Sequence, residues 1–246
     1  MKVELIAVTE NAVDTCEQAA ATCYDSQPSE DGRIIKSCAR SGHLSVWEHM
    51  NFTFRIQGVS RALLAQITRH RLASFSVRSQ RYCRENDFGV VTPPSIAHND
   101  AARQLYNNVI DYIRNAYGRL LDAGLPPEDA RFLLPNACET ELTVTMNARE
   151  LMHFCHERLC TRAQWEIREL AGEMAAAAGE RVPQLAPYLV PKCEINADYP
   201  FCPERQGCGR HRKLSEVYHD ESADRESSIA PDALQSRQDS PVGFHS

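Results

Sequence analysis

Asn51-Phe52-Thr53-Phe54-Arg55-Ile56-Gln57 alternates without a break, with Phe52, Phe54 and Ile56 on one side and Thr53, Arg55 and Gln57 on the other. A period of two marks a half-buried strand. Glu141 to Thr145 repeats the alternation around Leu142, Val144 and Met146, and Lys2 to Val8 has the β-rich character of a first strand. The strands are separated by helical signals. Ser60 is placed to cap a helix whose buried stripe is Val59, Leu63 and Ile67, while Gln66, Arg69 and His70 share a polar, cationic face.

Further out, Asp14 caps a short helix through Ala21, and Asp31 to Ser41 reads as a second. Ala101 to Asp122 carries Leu105, Val109, Tyr112, Ile113, Tyr117 and Leu120 at helical spacing, and Gly124 stops it. Pro126-Pro127-Glu128 starts a short helix bearing Arg131. Asn147-Ala148-Arg149-Glu150 has the spacing of a capping box, with Glu150 reaching back to the Asn147 amide, and predicts a helix from Ala148 to about Cys160. Another follows from about Ala163 to Glu180 on Ile167, Leu170, Ala171 and Met174. Beyond His211 the chain has the composition of a disordered tail. The expected organisation is one domain over 1–190, a Cys-containing extension over 191–211 and a tail over 212–246.

Bulk properties exclude several classes. The formal charge of −6 argues against bulk attraction to nucleic acid or an anionic membrane. The opening MKVELIAVTE is too short and too charged for a secretory signal, and no stretch approaches a membrane span, so the expectation is a cytoplasmic protein with reduced thiols.

Against that acidic background, Arg69, Arg71, Arg78, Arg81 and Arg84 crowd one short stretch, interleaved with Ser74, Ser76 and Ser79. Guanidinium forks match phosphate oxygens, so the cluster suits a phosphorylated ligand. Composition leaves a second reading open, a basic loop paired with surface carboxylates. Nucleic acid is a third, but Phe75 and Tyr82 are too sparse for a base-stacking platform. A second cationic set, Arg149, His153, Arg158 and Arg162, follows Asn147 at helical spacing; taken alone it reads as arginine stems snorkelling from a buried helix.

Together these motifs resemble the flavin-dependent thymidylate synthases. The resemblance rests on Arg69-His70-Arg71 followed by seven residues and Ser79-Gln80-Arg81-Tyr82. His43-x-Ser45-x-x-Glu48-His49-x-x-Phe52-x-Phe54, Ser60-Arg61, Gln66, Asn147-x-Arg149 and Arg162-Ala163-Gln164-Trp165-Glu166-Ile167 extend it to about residue 190. It implies an α+β protomer, mixed helices around a central, mainly antiparallel sheet, assembling as a homotetramer with FAD across subunit interfaces. It further implies reductive methylation of dUMP to dTMP, with methylenetetrahydrofolate and NADPH as co-substrates. By motif position, Ser45, Arg69, His70, Arg71, Asn147, Arg149 and His153 would hold FAD. Gln66, Arg69, Ser79, Gln80, Arg81, Arg131 and Arg158 would hold dUMP. Arg158 would stabilise negative charge on the uracil, and Ser79 would orient substrate, since no motif residue supplies the base a serine nucleophile needs. His43 is either a proton-moving group near the flavin or a structural histidine. The alternative function is a nucleotide- or nucleic-acid-binding homologue without catalysis, using Arg69 to Arg84.

The chain departs from the family pattern at Val77, where many members have an acidic residue, at His153 and Arg162, and at Cys23. No cysteine sits in a recognisable nucleophile context; Cys83 follows the motif tyrosine. Cys193, Cys202, Cys208 and His211 have the donor types of a tetrahedral zinc site, but Cys-x8-Cys-x5-Cys-x2-His lacks a tight Cys-x-x-Cys pair. They are therefore read as loop thiols, and no metal is expected.

Overall fold

The computed structural model describes residues 1–216, and the chain divides into two compact units, Met1–Pro191 and Lys192–Ser246. Most of the expected tail, from residue 217 onward, lies outside the described residues.

The first unit is built on a four-stranded antiparallel sheet in the order β1-β2-β4-β3, where β1 is Lys2–Val8, β2 Asn51–Ser60, β3 Ala73–Val77 and β4 Glu139–Asn147. The alternation read from sequence sets the two faces. Phe54 pairs with Val144 and Ile56 with Leu142, placing the apolar sets of both strands on one side. Thr53, Arg55, Thr143 and Thr145 share the other side, where Thr53 Oγ1 and Thr145 Oγ1 lie 2.9 Å apart.

Helices α1 (Ala12–Cys23), α2 (Arg33–Arg40) and α3 (Arg61–Ile67) precede β3. α4 (Pro94–Ala97), α5 (Asp100–Asp122) and α6 (Pro127–Ala130) lie between β3 and β4, and α7 (Ala148–Arg158) and α8 (Trp165–Arg181) follow. α7 and α8 contribute Leu151, Phe154, Ile167, Leu170 and Met174 to one buried cluster with Phe52, Phe54, Ile56 and Val144. No helix of the described residues is long and apolar enough to cross a membrane.

Several local expectations change. Asp14 lies inside the first turn of α1, whose N-cap is Asn11. β2 runs three residues beyond Gln57 because Gly58, at φ 68°, takes up a register shift against β4. Such a bulge needs the left-handed conformation that glycine adopts without a Cβ clash, and it turns both Val59 and Ser60 inward. Val59 is thus a strand residue rather than part of the helix stripe.

Helix α3 ends at Ile67, so Arg69 and His70 leave the face expected for them, and His70 turns into the core at 5% exposure. The basic stretch is partly a strand: β3 pairs Phe75 with Val144 and Val77 with Leu142. On α5 the expected stripe is covered only in part. Leu105 and Tyr112 are 66% and 75% exposed, whereas Tyr117 is buried with Leu120 packed beside it and Ile113 packs beside Ile110; Ile110 and Leu121, which the stripe left out, are buried as well. Helical period alone cannot say which of two adjacent apolar rows the rest of the protein covers.

Candidate active site

The helix after the bulge is anchored by its own cap. Ser60 Oγ accepts the Leu63 N–H at 3.0 Å and donates to Glu166 Oε2 at 2.5 Å, and the Ser60 N–H reaches Glu166 Oε1 at 2.7 Å. Glu166 is buried, so α8 fixes where α3 begins. Gln164 caps α8 by accepting from the Glu166 and Ile167 amides. The Gln164 to Ile167 motif is therefore scaffold for the site.

Where α3 ends, the chain drops His70 between α3 and α7. Arg158 Nε lies 3.1 Å from His70 Nε2, and His70 Nδ1 lies 3.0 Å from Glu150 Oε1. A guanidinium can only donate, so Nε2 must accept. The proton therefore sits on Nδ1 and is donated to Glu150. His70 is neutral in this arrangement, and burial, the largest influence, holds its pKa below the usual imidazole value; Arg158 and His153 push the same way against Glu150. The His153 ring centroid lies 5.5 Å away and Phe154 meets His70 edge-on at 5.0 Å.

Arg158 also donates from Nη2 to the Gln66 carbonyl at 3.3 Å. Its pKa is lowered chiefly by burial and further by the nearby charge of Arg69. Arg69 and Arg71 are exposed and have no carboxylate partner among the described residues. Gln66, Arg69, His70, His153 and Arg158 are thus one mainly cationic neighbourhood, whose nearby carboxylates are Glu150, taken at Oε1 by His70, and Glu157, whose charge partly offsets the lowering of Arg158.

The expected capping box is half made. Asn147 accepts the Glu150 N–H at 2.8 Å, as predicted, but the Glu150 carboxylate goes to His70 instead of returning to the Asn147 amide. His70 is the buried donor that needs an acceptor, and the Glu150 carboxylate meets it.

A second group gathers at the far end of β3. Ser79 Oγ accepts the Arg81 N–H at 3.2 Å, Arg81 Nε pairs with Glu128 at 3.1 Å, and Arg131 Nε donates to the Glu128 carbonyl at 3.1 Å. Gln80 Nε2 leans on Cys138 Sγ at 3.5 Å. Arg131 belongs to the 3-10 turn Arg131–Leu133 rather than to α6. Arg78 is paired with Glu85 at 3.0 Å and approaches Glu141 at 3.9 Å, which compensates the charge next to Val77. The basic stretch divides accordingly: Arg78 and Arg81 fit the carboxylate-paired reading, Arg69 and Arg71 the anion-binding one.

Ser45 and Arg149 form a third group. Ser45 is exposed in the 3-10 segment Leu44–His49, and Arg149 Nη1 pairs with Glu48 Oε1 at 2.5 Å. His43 is exposed just before that segment. Within the same segment Trp47 is fully buried and donates from Nε1 to the Ile35 carbonyl at 3.2 Å.

Sequence reasoning passed over Glu150 as a partner of His70, Glu128 as a partner of Arg81, and Arg61. Arg61 Nη2 donates to the Arg78 carbonyl at 2.8 Å, but its Nε is buried with no hydrogen-bond partner. Burial lowers its pKa, and Arg131 and Arg78 act in the same direction. Only its place in Ser60-Arg61 signalled it. The buried thiols are not nucleophiles: burial raises Cys138 to about 11 and Cys155 to about 12.

Residues 4–184 match the model of the family described as "Thymidylate synthase complementing protein". The chain is 40% identical over 236 residues to a flavin-dependent thymidylate synthase of Nitratidesulfovibrio vulgaris, covering 85% of this chain and 95% of that protein. It is 39% identical to one of Geobacter sulfurreducens, covering 90% and 100%. Among solved structures it is similar to the flavin-dependent thymidylate synthase of Helicobacter pylori complexed with FAD and dUMP, with a TM-score of 0.66, 27% identity and coverage of 77% of this chain and all of that one.

Proposed function

The chain belongs to the flavin-dependent thymidylate synthase family, and from that premise we propose that it methylates dUMP reductively to dTMP, with FAD as cofactor and 5,10-methylenetetrahydrofolate and NADPH as co-substrates. The observation that carries the reading is the Arg158–His70–Glu150 chain, one half-buried cation held by a neutral imidazole beside two arginines that have no carboxylate partner among the described residues.

The residues fit a flavin and a nucleotide. FAD carries a pyrophosphate and dUMP a phosphate, and Arg69, Arg71 and the unpartnered Nε of Arg61 are what such anions would satisfy. Arg69, His70, Arg71, Ser45, Asn147, Arg149 and His153 are proposed to hold FAD. Bound FAD supplies the redox chemistry that side chains cannot, passing reducing equivalents from NADPH toward the one-carbon unit.

The chain's own residues bind, orient and stabilise. Arg158 is proposed to face the uracil and stabilise negative charge developing on it, a role suited to a cation already desolvated and fixed by two hydrogen bonds. Because His70 uses its only proton toward Glu150, it holds Arg158 without competing for substrate protons. Ser79 Oγ has the Arg81 amide as its hydrogen-bond partner, which supports substrate binding rather than nucleophilic attack. Gln66, Arg69, Gln80, Arg81 and Arg131 complete the proposed dUMP set.

In one protomer these dUMP residues fall into two groups near opposite ends of β3, a strand of five residues that spans about 13 Å. That separation supports a site completed by more than one chain, and we propose the homotetramer with FAD at subunit interfaces. The proposal takes residues 1–190 as the catalytic domain of a cytoplasmic enzyme.

The test is release of tritium from dUMP labelled at C5, with methylenetetrahydrofolate, FAD and NADPH. Tritiated water and dTMP formed only when all four are present are expected. A protein that takes up FAD and dUMP but releases no tritium would be a binding homologue, and the proposal would fall.

A further inference from the structure

The described part of the second unit, residues 192–216, contains no buried residue, yet it closes on itself. So small a segment without an apolar core requires another source of stability, usually a disulfide or a metal. One of the cysteines read above as loop thiols stands directly beside other donor groups, and a hydrogen bond carries a second, Cys202, to the residue after His211. Cys193 Sγ, a Glu194 carboxylate oxygen and a ring nitrogen of His211 lie within 4.8 Å of one another.

Lys192 Nζ pairs with Glu204 at 2.5 Å, tying the residue before Cys193 to the segment after Cys202. The Cys202 N–H donates to the Arg212 carbonyl at 2.7 Å, and Cys202 forms an isolated bridge to Lys213, which sets Cys202 beside the residue that follows His211. Between Cys208 and His211 lies Gly209, whose φ of 86° marks a tight turn there. On the opposite flank, a Cβ placed on Gly207 would come within 3.3 Å of Cys202 Sγ, so Cys202 packs against the approach to Cys208.

His211 is oriented for coordination. Its Nε2 lies 3.1 Å from Glu194 Oε1, which also takes Arg210 Nε at 3.3 Å. A carboxylate accepting one ring N–H leaves the other nitrogen with a lone pair, the arrangement that outer carboxylates impose on metal-bound histidines. We propose that Cys193, Cys202, Cys208 and His211 bind one structural zinc ion, with Glu194 fixing the His211 tautomer. Three thiolates and an imidazole suit zinc, and they would satisfy its tetrahedral demand without an open position. Zinc with three thiolates carries a net negative charge, and Lys192, Arg210, Arg212 and Lys213 lie immediately beside the ligands in sequence. Spacing alone would hide such a site, because its parts would be joined through the Cys202–Arg212 hydrogen bond and the Lys192–Glu204 pair.

The test is metal analysis of the full chain purified under reducing conditions without chelator. About one zinc per chain is expected, and replacement by cobalt should give the intense visible absorption of tetrahedral thiolate coordination. Cys193→Ser and Cys208→Ser should each drop zinc at least tenfold, whereas Cys38→Ser should retain it. Flavin absorbance and dTMP formation on the same samples report whether the first unit is folded, independently of the metal. Should a Cys variant fail to express, Glu194→Gln is the milder alternative, expected to bind zinc more weakly by about tenfold. Zinc absent from the reduced wild type after incubation with zinc salt, zinc retained by both Cys variants, or an iron–sulfur chromophore at this site would each overturn the proposal.

Discussion

Replacing Glu150 by Gln changes one charge and almost no volume, and it separates holding His70 in place from choosing its tautomer. In the wild type the carboxylate can only accept, which fixes the proton on Nδ1 and leaves Nε2 for Arg158, at 3.0 and 3.1 Å. A Gln side chain can accept or donate, so the second tautomer becomes available, and its Nε2–H would meet the Arg158 Nε–H head-on. Both partners of the wild-type bond are about 4% exposed, so screening by water is slight. A charge-assisted bond contributes about 1.5–3 kcal/mol and a neutral one about 1, so the change should remove about 0.5–2 kcal/mol, with about 1–1.5 kcal/mol as the middle of that range.

Read as turnover, that is about a tenfold loss of kcat with FAD binding retained. Read as stability, it is a fall in Tm of about 2–6 °C. The pH profile discriminates further. An ordinary imidazole titrates near about 6.5, and burial places His70 lower in the folded protein. Between those values the unfolded chain binds the extra proton and the folded one does not, so stability is full above the ordinary value and is lost as pH falls toward the folded one. Glu150 opposes the lowering, so Glu150→Gln should shift the acid limb of kcat to still lower pH. Initial rates of tritium release across pH 5 to 8, beside thermal melts of the holoprotein, make the measurement. Wild-type kcat together with an unmoved acid limb would refute the assignment of His70 as the group that orients Arg158.

Arg158→Ala should lower turnover by about 100-fold or more while flavin absorbance and the melting profile stay close to wild type; wild-type-like turnover would remove Arg158 from the chemistry. Ser79→Ala should raise KM for dUMP by about tenfold with kcat within about threefold of wild type, whereas complete loss of kcat with unaltered dUMP binding would favour a nucleophilic serine. Ser60→Ala removes the hydroxyl donor to the buried Glu166 Oε2, leaving only the backbone N–H on Oε1, and uncaps α3, a combined loss of about 2–4 kcal/mol, seen as a melt lowered by about 4–15 °C; a shift under about 2 °C would show the pair is not a principal anchor. Arg61→Gln should weaken dUMP about tenfold in equilibrium titration if its orphaned Nε awaits phosphate, and an unchanged Kd would assign it to structure instead.

The strands that form the sheet centre were legible because a period of two is a local property: Phe52, Phe54 and Ile56, then Leu142, Val144 and Met146, each announce their buried face without knowledge of a partner. Caps were equally legible at Ser60 and Asn147, whose side chains bond amides three residues ahead. Local grammar failed at β3, whose serines look like loop chemistry until β4 is beside them, and held only in part on α5, where Tyr117 is covered but Leu105 and Tyr112 are not because only the neighbours decide how far the apolar rows are covered. The motif order carried the family, and with it the expectation of a flavin and a nucleotide.

What no spacing could reveal is which charges meet. Arg69, Arg71, Arg78 and Arg81 are alike as sequence, yet the fold pairs Arg78 and Arg81 with Glu85, Glu141 and Glu128 and leaves Arg69 and Arg71 without a carboxylate among the described residues. Glu150 sits at the spacing of a capping residue, but His70, eighty positions earlier, claims it. Periodicity and caps are set by the backbone within a few residues, whereas a carboxylate pairs with whichever buried donor lacks an acceptor, and that donor is brought to it only when the whole chain has packed.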